Sequence, residues 1–110
     1  MIFNTVEKMK LAKLTAGQII STKGYHVAGD GGGASYLVAA SQVVDGYGDH
    51  ALANGVVALL QAGGSADVKQ YGAKGDGTTD ATAAIQAALN TVSTEIYFPD
   101  GTYRIANATT

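Results

Sequence analysis

The sequence predicts an α+β protein, mostly β, in which short strands outnumber helices. Three observations predict this. Short apolar or β-branched runs recur along the chain, around Ile19 and Ile20, over 36–40 and over 56–62. Glycine-rich punctuation separates them, with 15 glycines in 110 residues. One stretch, residues 80–92, carries a sustained helical period.

The elements follow in order. Residues 4–13, NTVEKMKLAK, predict a short helix. Asn4 or Thr5 supplies the cap, and Glu7 stands at capping-box spacing from Asn4. Val6, Met9, Leu11 and Ala12 give it a loose apolar stripe, and so short a helix depends on docking. LTAGQIISTKGY then predicts a strand around Ile19 and Ile20. HVAGDGGGASYLVAA predicts a hairpin-like unit, with the turn at Gly29, Gly31, Gly32 and Gly33 around Asp30. Residues 41–55 read mostly as loop, with turn signals at Asp45-Gly46, Gly48-Asp49 and Asn54-Gly55. VVALLQA, residues 56–62, is the most apolar run and suits a buried strand. Ile19, Ile20, Val56, Val57, Leu59 and Leu60 are candidates for core or inter-subunit contacts.

GGS at 63–65 marks a boundary, which divides the chain into 1–65 and 66–110. The second part opens on a short strand around Val68. A turn-rich loop follows, with Gly72, Gly75, Asp76 and Gly77 as turn residues. Thr79 or Asp80 caps the helix over 80–92. Ala81, Ala84, Ile85, Ala88, Leu89 and Val92 fall on one face, and Ala84, Ile85, Ala88 and Leu89 are its expected packing residues. Thr82, Gln86 and Asn90 line the opposite face. EIYFPDGTYRIAN predicts strands at 95–98 and 102–106 joined by a Pro-Asp-Gly turn.

Composition excludes several functions. Lys plus Arg number 7 against 9 Asp plus Glu, and no basic run is present, so no nucleic-acid partner is expected. No apolar run approaches the ~18 residues of a membrane span, so no membrane insertion is expected. There is no cysteine, which removes disulfides and thiolate chemistry. His26 and His50 lie 24 residues apart with no Cys, so no metal site is assigned, and no cofactor. Charged residues are 15%, below the ~25% usual for globular domains, which suggests a surface partly covered by another chain.

The motifs also bear on catalysis. GDGGG lacks the Gly-x-Gly-x-x-Gly spacing between a strand and a helix, so it reads as a turn rather than a phosphate loop. GDGTTD precedes a helix, but its two aspartates repel an anion and complement the helix dipole. Glycosidase chemistry needs two carboxyl groups facing one sugar bond. Most of the acids here sit in turn or cap contexts, so no catalytic residue is assigned. Tyr25, Tyr36, Tyr47, Tyr71, Tyr97 and Tyr103 read as packing at strand positions, with sugar stacking as the alternative.

The run DVKQYGAKGDGTTDATAAIQAAL followed by IYFPDGTYRI, within 67–106, resembles the opening of pectate-lyase-like, right-handed parallel β-helix proteins. That resemblance implies a short strand, a loop, a helix capping the open end of the β-helix, and a first rung. Residues 3–62, with TVEKMKLAKLTAGQIISTKGYHVAGDGGGASYLV and LANGVVALL, resemble the domain preceding the β-helix in bacteriophage tailspikes and capsule depolymerases. Together the resemblances imply a connector domain (1–65) followed by the start of a β-helix (66–110). They imply a non-catalytic N-terminal module of a homotrimeric tailspike, located on the phage tail and acting at the host surface. Its implied partners are other virion tail or adaptor proteins and, through later rungs, bacterial surface polysaccharide. The implied parent is a polysaccharide lyase or glycoside hydrolase whose catalytic groups lie on later rungs. Two alternatives stand beside it: a carbohydrate-binding or polysaccharide-degrading domain in its own right, and the N-terminal part of a bacterial β-helix adhesin or lyase. Since stacked rungs need about three repeats to be stable, a chain holding barely one reads as the start of a longer spike.

Overall fold

A computed structural model describes residues 1–61, 65–91 and 95–105. The first part is a five-stranded sheet covered by one short helix. Strand β1 is Ile2–Phe3, helix α1 Val6–Lys10, β2 Ile19–Thr22, β3 Ser35–Ala39, β4 His50–Ala51 and β5 Val57–Leu60, and the sheet order is β1-β2-β3-β5-β4.

Helix α1 is shorter than the sequence pattern suggests. Thr5 caps it, its side chain accepting the Lys8 amide at 3.2 Å, so the Asn4–Glu7 capping box is not the one used. Leu11 closes the helix and is exposed, which leaves Val6 and Met9 as the buried stripe. The Val6 amide donates to the Tyr25 carbonyl at 3.1 Å and fixes α1 over the sheet.

Strands β2 and β3 pair antiparallel, with Ile20 opposite Tyr36, and β3 pairs β5, with Tyr36 opposite Leu60. The alternation buries Ile20, Thr22, Tyr36 and Val38 under α1. It turns Ile19 outward, where Ile19, Leu37 and Leu59 stand in one cross-strand row. Ile19 is therefore not a core residue of this chain. The β2–β3 connection is the whole segment 23–34, not a tight turn at 29–33. The expected loop at 41–55 contains β4, which pairs β5 through the Asn54-Gly55 turn.

His50 and Tyr36 lie deep in this core, 2% and 0% exposed, with ring centroids 6.0 Å apart. Burial, aided by the Lys10 charge, pushes the His50 imidazole down to about 4. Burial likewise raises the Tyr36 phenol to about 12.

The second part coils. Strand β6 (Ser65–Asp67) leads into a one-turn 3-10 helix (Val68–Tyr71), then β7 (Asp76–Asp80), α2 (Thr82–Thr91), β8 (Glu95–Tyr97) and β9 (Thr102–Arg104). β8 pairs parallel with β6, and β9 pairs parallel with β7. Two strands followed by two strands stacked on them in the same order are two successive turns of a parallel β-helix. The chain thus holds more than the single rung expected. Val68, expected in a strand, opens the 3-10 helix and is fully buried.

The motif DGTTD, expected as loop, is a strand with a bulge. Asp76 pairs with Thr102 and Asp80 with Arg104, so β7 spends four steps where β9 spends two. Gly77, at φ +76°, and the Asp76 carboxylate, which accepts from the Thr78 and Thr79 amides at 3.1 and 2.8 Å, make that irregularity. A bulge and a turn share this chemistry, which is why the motif reads as loop.

Asp80 starts α2, its carboxylate accepting the Thr82 amide at 2.9 Å. Ala84, Ile85, Ala87 and Ala88 are buried against Ala66, Val68, Tyr71 and Ala73. Leu89 is 52% exposed and lies off this face, whereas Ala87, outside the expected stripe, lies on it. The buried arc is rotated by one position toward Ala87. Val92, residues 62–64 of the expected boundary, and the end of the last expected strand lie outside the described residues. Leu60 packs against both cores and links the two parts.

Two outcomes follow from this packing. Ala88→Leu forces extra methyl groups into a fully buried site and should cost ~1–3 kcal/mol in urea unfolding. His50 stays neutral in the folded chain, whereas the unfolded chain takes up a proton below its ordinary value of 6.5. Its stabilising contribution is intact above pH 6.5 and is lost as pH falls from 6.5 toward about 4. The loss is up to ~3 kcal/mol. Unfolding free energies measured across that window should fall less steeply for His50→Phe than for the parent chain.

Candidate functional site

The most elaborated local structure is segment 23–34, which joins β2 to β3 and lies against the first turn of the coil. Its centre is the Asp30 carboxylate. One oxygen accepts the amides of Tyr25 and Gly32 at 3.0 and 2.8 Å, and the other those of His26 and Val27 at 2.8 and 3.2 Å. Partial burial opposes the charge, but four backbone N–H groups outweigh it, and the acid is held below its ordinary value. The loop therefore folds around a permanent anion.

Three side chains tie this loop to the coil. His26 Nε2 lies 2.8 Å from the Gly72 carbonyl, so that nitrogen carries the proton. Lys69 Nζ reaches the Asp30 carbonyl at 3.4 Å, and Gln70 Nε2 donates to the Gly33 carbonyl at 3.0 Å. Beside them the Tyr25 hydroxyl donates to the Tyr47 carbonyl at 2.7 Å. Burial raises the Tyr25 phenol strongly and keeps it a donor.

The glycines divide by role. Gly29 and Gly31 have positive φ, +84° and +89°. Gly32 and Gly33 do not; a Cβ at Gly32 would meet the Lys69 carbonyl oxygen at 2.5 Å, and one at Gly33 the Thr22 carbonyl oxygen at 2.7 Å. They are needed for close approach. Gly72 closes the 3-10 helix at φ +104° and packs on the Tyr25 ring, and Gly75 has φ +70°. Expected as separate turns, Gly29 to Gly33 and Gly72 meet at one interface. Sequence reasoning missed His26, Lys69 and Gln70 as its fasteners; the Asp-Gly-Gly run is the signal that a carboxylate there collects amides.

Most of the acids serve the backbone. Asp45 accepts from Tyr47, Gly48 and Asp49, Asp49 from Leu60, and Asp67 from Lys69. With Asp30, Asp76 and Asp80, six of the seven aspartates accept main-chain amides. Asp76 is driven well below its ordinary value by its amide and hydroxyl donors. Among the described residues, no three His, Asp or Glu side chains group as metal ligands. No helix among them is long and apolar enough to cross a membrane.

Clefts open among the described residues. One of about 220 Å³ lies between α1 and the core, lined by Glu7, Lys10, Tyr25, His26 and His50. A second, about 250 Å³, lies between His26, Asp30, Lys74 and Asp76. The third, about 390 Å³, lies between Asp45 and Tyr47 on one side and Ala83, Gln86, Ala87 and Asn90 of α2 on the other.

Comparison with known proteins agrees with this architecture. Residues 65–109 match the model of the family described as rhamnogalacturonase A/epimerase, pectate lyase-like. Alginate lyase 7 of Azotobacter vinelandii is 48% identical over 44 residues, 36% of this chain and 5% of that protein. The tailspike protein gp49 of Acinetobacter baumannii bacteriophage Fri1, a capsular polysaccharide depolymerase, superposes at a TM-score of 0.67 with 26% identity. The match covers 88% of this chain and 20% of that one. Tailspike protein 4 of bacteriophage CBA120 gives a TM-score of 0.68 and 26% identity, covering 90% of this chain and 14% of that enzymatically active domain. The chain thus spans one-fifth or less of the length of each of these relatives. Sheet, glycine loop and two stacked turns together give the chain the tailspike-type, pectate-lyase-like parallel β-helix fold.

Proposed function

We propose that this chain is the non-catalytic N-terminal module of a trimeric phage tailspike. It joins the particle-proximal end to the polysaccharide-recognising β-helix, covers the first turn of that helix and helps set the trimer. The observation that carries this reading is the clamp itself. The loop built on Asp30 presses onto the 3-10 turn through glycines that admit no side chain, and Leu60 fills both cores. Such contacts suit an element that transmits orientation between two parts. The use of six aspartates as main-chain acceptors also supports it, since those carboxylates are committed to holding the backbone.

The outward row Ile19, Leu37 and Leu59 supports a covered surface, because it places apolar side chains on a sheet face turned away from the chain's own core. A second reading rests on the likeness to alginate lyase 7: the chain opens a bacterial polysaccharide lyase with no particle to attach to. Both readings place the chemistry in rungs beyond this stretch.

Two measurements test the proposal. Light scattering should give about three times the 11.1 kDa chain mass; a monomer at every concentration rejects it. Incubation with capsular polysaccharide should release no new chain ends, and depolymerisation by the chain alone would contradict a non-catalytic role. The clamp has its own test. Gly32→Val drives a side chain into the Lys69 carbonyl, and Asp30→Ala removes the acceptor of four amides. Each should cost ~1–3 kcal/mol. In hydrogen exchange, amides of segment 23–34 and of the 3-10 turn should lose protection together, while β3 and β5 keep theirs.

A further inference from the structure

The tip of the β4–β5 hairpin carries a reactive pair that the connecting role does not use. Residues 52–55 form a tight turn, in which the Gly55 amide donates to the Leu52 carbonyl at 3.2 Å. The Leu52 amide pairs with the Val56 carbonyl at 2.9 Å. Ala53, Asn54 and Gly55 are exposed at the end of this turn. Of the four asparagines in the chain, Asn54 is the one followed by glycine.

That neighbour decides the chemistry. A main-chain nitrogen attacks the side-chain carbonyl of the preceding asparagine most readily when its own residue brings no side chain, and only glycine meets that condition. Gly55 stands at φ +91°, and no heavy atom beyond its chain neighbours lies within 4 Å of where its Cβ would be. The Gly55 nitrogen forms a bond to Asn54 Cγ, the Cγ–Nδ2 bond breaks, and ammonia leaves with the proton that the Gly55 amide gives up. Water then opens the five-membered imide at one of its two carbonyls and leaves aspartate or isoaspartate. Water is the sole co-reactant.

Two hydrogen bonds restrain the attack. The Gly55 N–H is held by the Leu52 carbonyl, and Asn54 Nδ2 donates to the Leu14 carbonyl at 2.8 Å. The nitrogen must leave the first and the side chain must swing away from the second. The barrier is local, because β4 is only two residues long and the tip can open while β3 and the core stay in place.

The second bond is also what the product destroys. Leu14 lies in the connection between α1 and β2, with its side chain in the first core. Asn54 ties that connection to the hairpin. A carboxylate has no N–H to offer, so after the reaction the Leu14 carbonyl loses its donor and faces an anion. Isoaspartate in addition carries the main chain through the former side chain, and the longer backbone disturbs the pairing of Leu52 with Val56.

We propose that Asn54 is a site of spontaneous deamidation, gated by opening of the hairpin tip, whose product unties the connection at 11–18 from the β4–β5 hairpin. The proposal is independent of what the chain attaches to or acts on.

The test is incubation of the full chain in mildly alkaline buffer, native and in concentrated urea, followed by peptide mass spectrometry. Asn54 should gain about 1 Da, ahead of Asn4 and Asn90, and about tenfold or more slowly in the native chain than in urea. Asn54 left intact in urea, or Asn4 or Asn90 converting first, overturns the site. Equal rates in the two conditions overturn the gate. Two variants test the consequence. Asn54→Ala removes the donor, and Asn54→Asp reproduces the product. Both should lower the urea midpoint and speed amide exchange over 11–18, Asn54→Asp more than Asn54→Ala. A midpoint and exchange pattern equal to the parent's in Asn54→Asp would overturn the untying. Should either variant fail to fold, exchange measured on the naturally converted chain, separated by charge from the unconverted one, gives the same reading.

Discussion

The Asp30 carboxylate is the constraint on which the rest of the structure depends. A twelve-residue connection cannot lie flat against a neighbouring element without leaving amides unpaired, and a covered amide without a partner is costly. Asp30 collects four of those amides, from Tyr25, His26, Val27 and Gly32, and so turns a floppy connection into a solid plug. The plug offers its Asp30 and Gly33 carbonyls to Lys69 and Gln70 of the coil, and its own His26 ring donates to the Gly72 carbonyl in return. The carboxylate is satisfied inside the loop, and the joint is made by hydrogen bonds to main-chain carbonyls. Because the anion is satisfied within its own loop, docking does not require a buried ion pair, with its desolvation cost.

The coil needs that joint because its own core is thin. Ala66, Ala73, Ala81, Ala84, Ala87 and Ala88 make up most of it, with Val68, Ile85 and Tyr71 as the larger members. Alanine buries little area, so each contact is weak, but it loses no side-chain freedom and lets α2 sit close to β6 and the 3-10 turn. Tyr71 shows how tightly the parts fit. Its ring lies where a Cβ on Gly48 would stand, 2.5 Å away, and its hydroxyl meets Thr91 at 2.8 Å. One residue thus touches a loop of the first part and the last turn of α2. The larger apolar core, with Met9, Ile20, Tyr36 and Val38, lies in the first part and reaches the coil through Leu60.

Much of this was legible in the sequence, and the misses have physical causes. Strands β2, β3 and β5 announce themselves because alternation and β-branching are local properties. Helix α2 does so because its period is sustained over three turns. The helix face was placed one position off, since alanine pattern alone does not tell which of Ala87 and Leu89 meets a wall. The β7 bulge hid behind turn chemistry, because Gly77 and Asp76 look the same in a turn and in an irregular strand. The site was the least legible part. Its residues come from segments some forty positions apart: His26 meets Gly72, and Asp30 meets Lys69. No local pattern marks a histidine or a lysine as a fastener until the partner carbonyl is in place. The glycines were found, but two of the four at 29–33 serve space rather than dihedral freedom, a distinction that exists in three dimensions alone.

The distribution of acids completes the picture. A chain with nine carboxylates looks equipped for acid–base chemistry. Catalysis needs a carboxyl group free to exchange a proton or to attack, with its affinity tuned toward working pH. Asp30 and Asp76 are tuned the other way, held as anions by amides and hydroxyls. Asp49 and Asp67 are raised by burial, but each still accepts a backbone amide that favours its charged form. Acids used in this manner replace secondary structure in a molecule whose loops are long and whose strands are short. The carboxylates stay at or near the surface while they hold the backbone, and the chain carries few charges beyond them, 15% in all. Surfaces of that composition recognise neutral partners through shape and hydrogen bonds rather than through long-range attraction. That fits the connecting role proposed above better than the capture of a charged substrate.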